Sequence, residues 1–157
     1  MQDNTIGNSL TDSDFFAGLP LESMRYLSEH ATLRKLQTGE TLFRHGARAD
    51  AFYLIANGSI ALEVIAIEGP SLELQKLSSG EVLGWSWFVP PYQWSFHAVA
   101  TSPSVVIEFD GVAILAHCEE NPRFGYDLLK RFSALMSERL QFARQKMMAD
   151  WRPAGFA

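Results

Sequence analysis

The sequence predicts a mainly β domain, an eight-stranded antiparallel jelly-roll barrel with a short helix before it and a long helix after it. Two observations predict this fold. Short apolar runs recur through the middle of the chain, and turn residues separate them, which is typical of antiparallel strands. Beyond Gly111 the apolar residues instead recur at steps of three and four, which is the period of a helix.

The length of the chain predicts a single domain, and its net charge argues against a nucleic-acid-binding protein. The 157 residues, 47% of them hydrophobic, predict one domain with one sizeable core. Thirteen basic and eighteen acidic side chains give a net charge of −5, which is the wrong sign for a partner of the phosphate backbone. We therefore expect no direct contact with nucleic acid.

The first residues and the single cysteine indicate a cytoplasmic protein. Cys118 cannot form an internal disulfide, and it supplies no CxxC pair for zinc. The N-terminus lacks the basic and apolar regions of a signal peptide, and no apolar run approaches the length of a spanning helix. We expect neither a membrane segment nor an extracellular location.

The domain is predicted to begin after a polar tail. Residues 1–13 are polar and aperiodic, so we interpret them as flexible. Pro20 suits the first turn of a helix, and apolar residues at helical spacing predict that this helix runs from Leu21 to His30. The domain is then expected to span 14–151, with 152–157 as a second tail.

Short turns divide the middle of the chain into about eight strands. The strongest turn signal is Asn57-Gly58, because a two-residue type I′ turn needs positive φ at both central positions. It predicts a hairpin between 52–56 and 59–67. Further turns are expected at 38–39, 45–46, 68–70, 78–80 and 101–104.

The C-terminal third predicts two helices, one around Val112–Cys118 and one over 122–151 that Asn121-Pro122 opens. At 1.5 Å per residue the second would be about 45 Å long, so its distal half should extend past the barrel. Its apolar stripe either packs on its own sheet or pairs in a homodimer, which we favour. The candidate dimer residues are Phe132, Leu135, Met136, Leu140, Ala143, Met147 and Trp151.

The stretch Gly80–Ala100 is the part of the sequence that most suggests a site. It contains three of the four tryptophans, and this number of large rings exceeds what strand formation needs. The candidate ligand-binding residues are Gly84, Trp85, Ser86, Trp87, Gln93, Ser95, Phe96 and His97.

Two segments carry a resemblance to a known family. TGETLFRHGARADAFYLIANGSIAL and SSGEVLGW resemble the opening strands and the approach to the phosphate-binding cassette of cyclic-nucleotide-binding domains, of the catabolite-activator and kinase-regulatory type. The resemblance covers roughly Phe15 to Trp151. It implies this jelly-roll fold and a regulatory role.

The cassette itself departs from that family. The family has a glutamate for the ribose hydroxyl where this chain has Trp85, and an arginine for the cyclic phosphate at or near Ser95. A buried phosphate without a cationic partner keeps its desolvation penalty, so the residues argue against ordinary binding of cyclic AMP or GMP. Either Trp85 and Trp87 fill the pocket, or the rings line it for a less charged ligand.

The end of the chain departs as well. In the transcription regulators of the family a DNA-binding domain follows the long helix, whereas only 152–157 follow Trp151 here. We expect no such domain, and any transcriptional role would need a separate protein partner.

No pattern indicates an enzyme, a metal or a cofactor. The histidines form no H-x-H pair with a carboxylate, and Cys118 is interpreted as a packed helix residue. His97 is either a hydrogen-bonded barrel residue or a pocket donor, and Pro91 has a context that permits a cis bond.

The leading hypothesis is a non-catalytic regulatory or sensory module. The alternatives are an interaction scaffold with a filled pocket and a weak binder of cyclic nucleotides or another small ligand.

Overall fold

The fold consists of two antiparallel sheets with helices on either side. The computed structural model describes residues 2–65 and 68–150, and in this part of the chain each sheet has four strands, ordered β1-β8-β3-β6 and β2-β7-β4-β5. The predicted jelly-roll arrangement of eight antiparallel strands is confirmed, although over these ranges the sheets do not close into a barrel. The strands are β1 (Ala31–Leu36), β2 (Thr41–Phe43), β3 (Ala51–Asn57), β4 (Ser59–Val64), β5 (Leu72–Ser78), β6 (Val82–Leu83), β7 (His97–Ala100) and β8 (Ser104–Asp110).

The predicted helices after the sheets and before β1 are confirmed. They are α2 (Leu21–Glu29), α3 (Gly111–Glu120) and α4 (Pro122–Asp150), and a short 3-10 turn covers Asp14–Phe16. Asp110 caps α3, because its carboxylate accepts a hydrogen bond from the Ala113 N–H at 3.1 Å. Asn121 closes the same helix, since its amide lies 3.2 Å from the His117 carbonyl oxygen.

The prediction of a flexible tail over residues 1–13 is wrong. Residues Gln2–Asp12 form a helix, α1, which contacts α2, β1 and β3. Its Ile6 and Leu10 are buried, and the Ser13 hydroxyl donates to the Gly80 carbonyl at 2.6 Å. Two apolar side chains four residues apart lie on one helical face, and that face meets the sheet, which composition alone does not indicate.

The Asn57-Gly58 turn is real, but the predicted hairpin is wrong. β3 pairs with β6 and β8, whereas β4 pairs with β5 and β7, so the turn carries the chain from one sheet to the other. Gly58 has φ +106°, and a Cβ there would lie 2.6 Å from the Cβ of Ser104. Glycine is therefore required at this crossing by both conformation and space.

An aromatic cluster in the core joins β3, β8 and the loop after β6 to α4. The Phe52 ring stacks on Phe109 at 4.4 Å and on Trp87 at 4.9 Å between ring centroids. The Phe132 ring of α4 meets Phe52 edge-on at 5.1 Å and Trp87 at 5.2 Å. This cluster fixes the loop that contains Trp87 against the root of the long helix.

The distal half of α4 extends past the core, as the sequence predicted. Leu135 is the last buried apolar side chain of this helix, whereas Leu140 is 69% exposed and Met147 is 61% exposed. Phe132 and Leu135 lie in the chain's own core, so they are not available to a second copy, contrary to expectation. Trp151 lies outside the described residues.

Candidate functional site

The candidate site is the loop between β6 and β7, which backbone hydrogen bonds hold against the segment between β2 and β3. The Gly46 N–H donates to the Trp94 carbonyl at 2.8 Å, and the Trp94 N–H donates to the Ala47 carbonyl at 2.9 Å. The Ala49 N–H donates to the Tyr92 carbonyl at 2.7 Å. The loop's second half therefore has a fixed path, and Trp94 is held at both its N–H and its C=O.

The backbone of this loop has two unusual residues. The peptide bond between Pro90 and Pro91 is cis, which answers the question that the sequence left open. The next residue, Tyr92, has φ +56°, a left-handed conformation that is uncommon for residues other than glycine.

Five of the predicted ligand residues surround one small cavity. This cavity, the cassette pocket, has a volume of only about 10 Å³, which is roughly the space of one water molecule. The predicted residues are joined there by three that the sequence analysis did not include. The lining is Gly84, Trp85, Ser86, Ser95 and Phe96 together with Phe43, Leu62 and Trp94.

Trp94 packs tightly among the residues that line the cassette pocket. Its side chain is only 5% exposed and stacks on the Phe43 ring with centroids 3.9 Å apart and an interplanar angle of 13°. On the other side it meets Gly84 so closely that a Cβ there would lie 2.9 Å from two atoms of the indole ring. Gly84 also has φ +95°, so both space and conformation favour glycine at this position.

Trp87 does not lie at the cassette pocket, contrary to expectation, whereas Trp85 does line it. Trp87 belongs to the core cluster, and its Nε1–H donates to the Gly84 carbonyl at 3.1 Å. Trp85 is half-buried and meets Phe96 edge-on at 5.6 Å. Trp94 belongs to the aromatic stretch but not to the predicted ligand residues. One signal pointed to Trp94: it lies ten positions after Gly84, next to Ser95, where the resemblance places the family's phosphate-binding arginine.

The remaining predicted residues lie elsewhere. Gln93 is exposed and, with Trp87, lines a second cavity of about 670 Å³ between the loop and α3. Arg48, Asp50 and Glu119 carry charges at this second cavity. His97 accepts a hydrogen bond from the His45 N–H at its Nδ1, with a distance of 3.1 Å, so it is a hydrogen-bonded residue of β7.

The electrostatics of the cassette pocket do not suit an anion. No lysine or arginine occurs between Gly84 and His97, and the polar side chains that line the pocket are the hydroxyls of Ser86 and Ser95.

Over residues 2–65 and 68–150, no three His, Cys, Asp or Glu side chains are grouped so that they could hold a metal ion. Within the same ranges no helix combines the length and the apolar character that a membrane crossing requires.

Comparisons with known proteins agree with the fold. A family model described as "Cyclic nucleotide-binding domain" matches residues 33–121, more than half of the chain. The cAMP-activated global transcriptional regulator CRP of Escherichia coli is 27% identical over 126 residues, which are 80% of this chain and 58% of that protein. The chain thus spans a little over half the length of the curated relatives it matches.

Solved structures share the fold at low identity. A cyclic nucleotide-binding domain from Methylobacillus flagellatus has a TM-score of 0.79 at 17% identity, over 98% of this chain and 86% of that chain. A cyclic nucleotide-binding protein from Geobacter metallireducens has 0.76 at 24%, over 85% and 97%. The catabolite activator protein of Thermus thermophilus has 0.70 at 24%, over 87% and 62%.

Proposed function

Because the chain belongs to the cyclic nucleotide-binding domain family, we propose that it is a non-catalytic regulatory module in which Trp94 occupies the place of a ligand. The observation that supports this most strongly is the Trp94 indole between Phe43 and Gly84. Ligand pockets usually measure a few hundred Å³, whereas the cassette pocket has about 10 Å³. Cyclic AMP and GMP therefore do not bind in the usual way.

The charge of the pocket supports the same conclusion. A cyclic phosphate that entered beside Gly84 would lose its hydration and would meet only the two serine hydroxyls and backbone groups. Uncompensated burial of an ion costs several kcal/mol, and Trp94 would also lose its stacking on Phe43. Both terms oppose nucleotide binding.

Calorimetric titration tests this proposal directly. With cyclic AMP or cyclic GMP up to millimolar concentration, the unmodified chain should give no saturable heat. Micromolar binding of either nucleotide would contradict the filled pocket.

The Trp94→Ala variant tests whether Trp94 is what fills the pocket. Removing the ring should leave a cavity of its shape, so indole at millimolar concentration should raise the melting temperature of this variant but not of the unmodified chain. Tyr126→Ala is the control, since Tyr126 is an exposed ring of α4 and its loss should not create an indole site. Equal responses of the two variants would refute the role given to Trp94.

The module's output is proposed to run through the exposed half of α4, as a homodimer. A stripe on this helix advances by alternate steps of four and three, which is the spacing of a coiled-coil seam. Its apolar members are partly or largely exposed, so they have surface to contribute to a partner helix. The stripe is Leu129, Ser133, Met136, Leu140, Ala143 and Met147.

Light scattering with two matched variants tests the dimer. Leu140→Glu places a charge in the proposed seam, whereas Gln145→Glu places the same charge on the opposite face of the helix. The unmodified chain and Gln145→Glu should scatter as dimers, and Leu140→Glu as a monomer. A monomeric unmodified chain at high concentration would exclude this output.

A second candidate function is binding of another small molecule at the second cavity. Its volume of about 670 Å³ is in the usual range for ligand sites, and Arg48 and Gln93 supply polar groups there. Mass spectrometry of the purified protein under native conditions would detect a co-purifying molecule. Its loss in Gln93→Ala but not in Trp94→Ala would favour this cavity over the cassette pocket.

A further inference from the structure

Arg139 is a buried charge at the point where α4 leaves the core. Its side chain is only 4% exposed, and its Nη2–H donates to the carbonyl oxygen of Val82 at 2.6 Å. Val82 begins the two-residue strand β6, and Gly84 follows directly after that strand. One hydrogen bond therefore connects the long helix with the strand that leads to the cassette pocket.

The rest of the guanidinium has few partners. Its Nη1 lies 3.7 Å from the Glu138 carboxylate, and its Nε meets no acceptor among the residues that the structure describes. Burial lowers the pKa of Arg139, because removal from water disfavours the charged form. A buried charge with incomplete partners contributes little to stability, and an apolar side chain of similar size often does as well. Stability alone does not explain this arginine.

One side of α4 faces a cavity at Arg139. A cavity of about 530 Å³ lies beside Arg139, between α4 and the turn that precedes Val82. That turn is fixed from other directions, since the Gly80 N–H donates to the Ile55 carbonyl at 2.8 Å and the Gly80 carbonyl accepts from Ser13. Arg139 supplies a hydrogen bond from α4 to Val82, directly after this turn.

We propose that the Arg139–Val82 hydrogen bond couples the packing of Trp94 against Gly84 to the position of the exposed half of α4. This inference rests on the proposed function, because it assigns the route by which the cassette pocket acts on the output helix. β6 is short and pairs only through Val82 and Leu83, so a displacement of Gly84 moves the Val82 carbonyl with it. Arg139 transmits that displacement to the residues that follow it in α4.

A double-mutant cycle measured by hydrogen exchange tests the coupling. Trp94→Phe shortens the ring while keeping it aromatic, and Arg139→Met removes the hydrogen bond while keeping much of the volume. Trp94→Phe should change the exchange rates of amides 140–149 by at least about threefold, and by less than about 1.5-fold when Arg139→Met is also present. Arg144→Met, which removes an exposed charge from the same helix, should leave the full threefold effect.

Each outcome decides between defined alternatives. An equal effect of Trp94→Phe with and without Arg139→Met overturns the coupling while leaving the output through α4 intact. No effect in either background overturns the proposed output itself, and the coupling with it. If Trp94→Phe does not fold, Phe43→Leu replaces it, since it removes the ring that stacks on Trp94 while keeping an apolar side chain. Light scattering of each variant ensures that exchange is compared in the same oligomeric state.

Discussion

The two ends of the described chain show opposite relations between apolar content and burial. α1 has few apolar side chains, yet Ile6 and Leu10 are both buried completely. The last part of α4 has several, including Leu140 and Met147, yet these are exposed. Apolar content alone therefore does not tell which helix belongs to the core.

Length and neighbouring elements explain the difference. α1 has 11 residues and lies against β1, β3 and α2, so one helical face suffices to bury its two large side chains. α4 has 29 residues and is about 44 Å long, so it passes the end of the sheets. What the fold places opposite a side chain decides its burial.

The largest expected effect is that of Leu10→Ala. Because Leu10 is 1% exposed in the core, its truncation should lower the free energy of unfolding by about 2–5 kcal/mol. Urea unfolding followed by circular dichroism measures this. A loss below about 0.5 kcal/mol, the usual value for surface positions, would mean that α1 is not part of the folded core in solution.

A second prediction concerns Cys118, under the root of α4. Burial raises the pKa of its thiol from 9.0 to about 11. At pH 8 the folded chain should therefore react with a maleimide about 100-fold more slowly than the urea-unfolded chain, since each pKa unit changes the thiolate fraction about tenfold.

The same shift has a consequence for stability. The raised pKa of Cys118 contributes stability that is fully present below about pH 9 and is lost as the pH rises through about 11. Cys118→Ala should show a flatter decline of stability over this range. Equal maleimide rates in folded and unfolded protein would show instead that the first turns of α4 open as readily as its exposed end.

Gly7→Ala is expected to act in the opposite direction. Gly7 lies inside α1, and a Cβ there would have no neighbour within 4 Å. The higher helix propensity of alanine should therefore raise the free energy of unfolding by up to about 1 kcal/mol. A decrease in thermal stability would contradict the helical structure of this segment.

The smallest effect is expected for Leu140→Ala. At a protein concentration low enough for monomers, it should change the free energy of unfolding by less than about 0.5 kcal/mol, because Leu140 is exposed. At high concentration the loss should be larger if the helix pairs with a second copy. A large loss at every concentration would place Leu140 in the core.

The sequence predicted the family, the eight strands and the long helix, because glycine turns and helical periodicity are local signals. Membership of the family is confirmed by the match to residues 33–121. The pairing of β3 was not predictable from Asn57-Gly58, because the turn signal specifies a change of direction and not which strand lies alongside. The residue packed against Gly58 is Ser104, which is distant in the sequence.

The structure brings five of the predicted ligand residues to one cavity, but the sequence did not distinguish the positions of the three tryptophans. Trp85, Trp87 and Trp94 have the same composition signal, yet Trp87 stacks on Phe52, whereas Trp85 and Trp94 line the cassette pocket. Of these two, Trp85 is half-buried and Trp94 is buried. Their orientations follow from the path of the loop, which the hydrogen bonds from Gly46 and Ala49 fix. Those contacts join segments whose proximity no local pattern indicates.

The pairing of β1 with β8 has a consequence for how the chain is made. Ala31 lies opposite Phe109, so β1 has no sheet partner until nearly all of the strands have left the ribosome. β3 has most of its pairing with the same late strand. A nascent chain that stops before Ser104 leaves β1 unpaired and β3 paired only with the two residues of β6, which favours aggregation and binding by chaperones. Folding should accordingly be slow and largely post-translational, since such long-range pairing retards it.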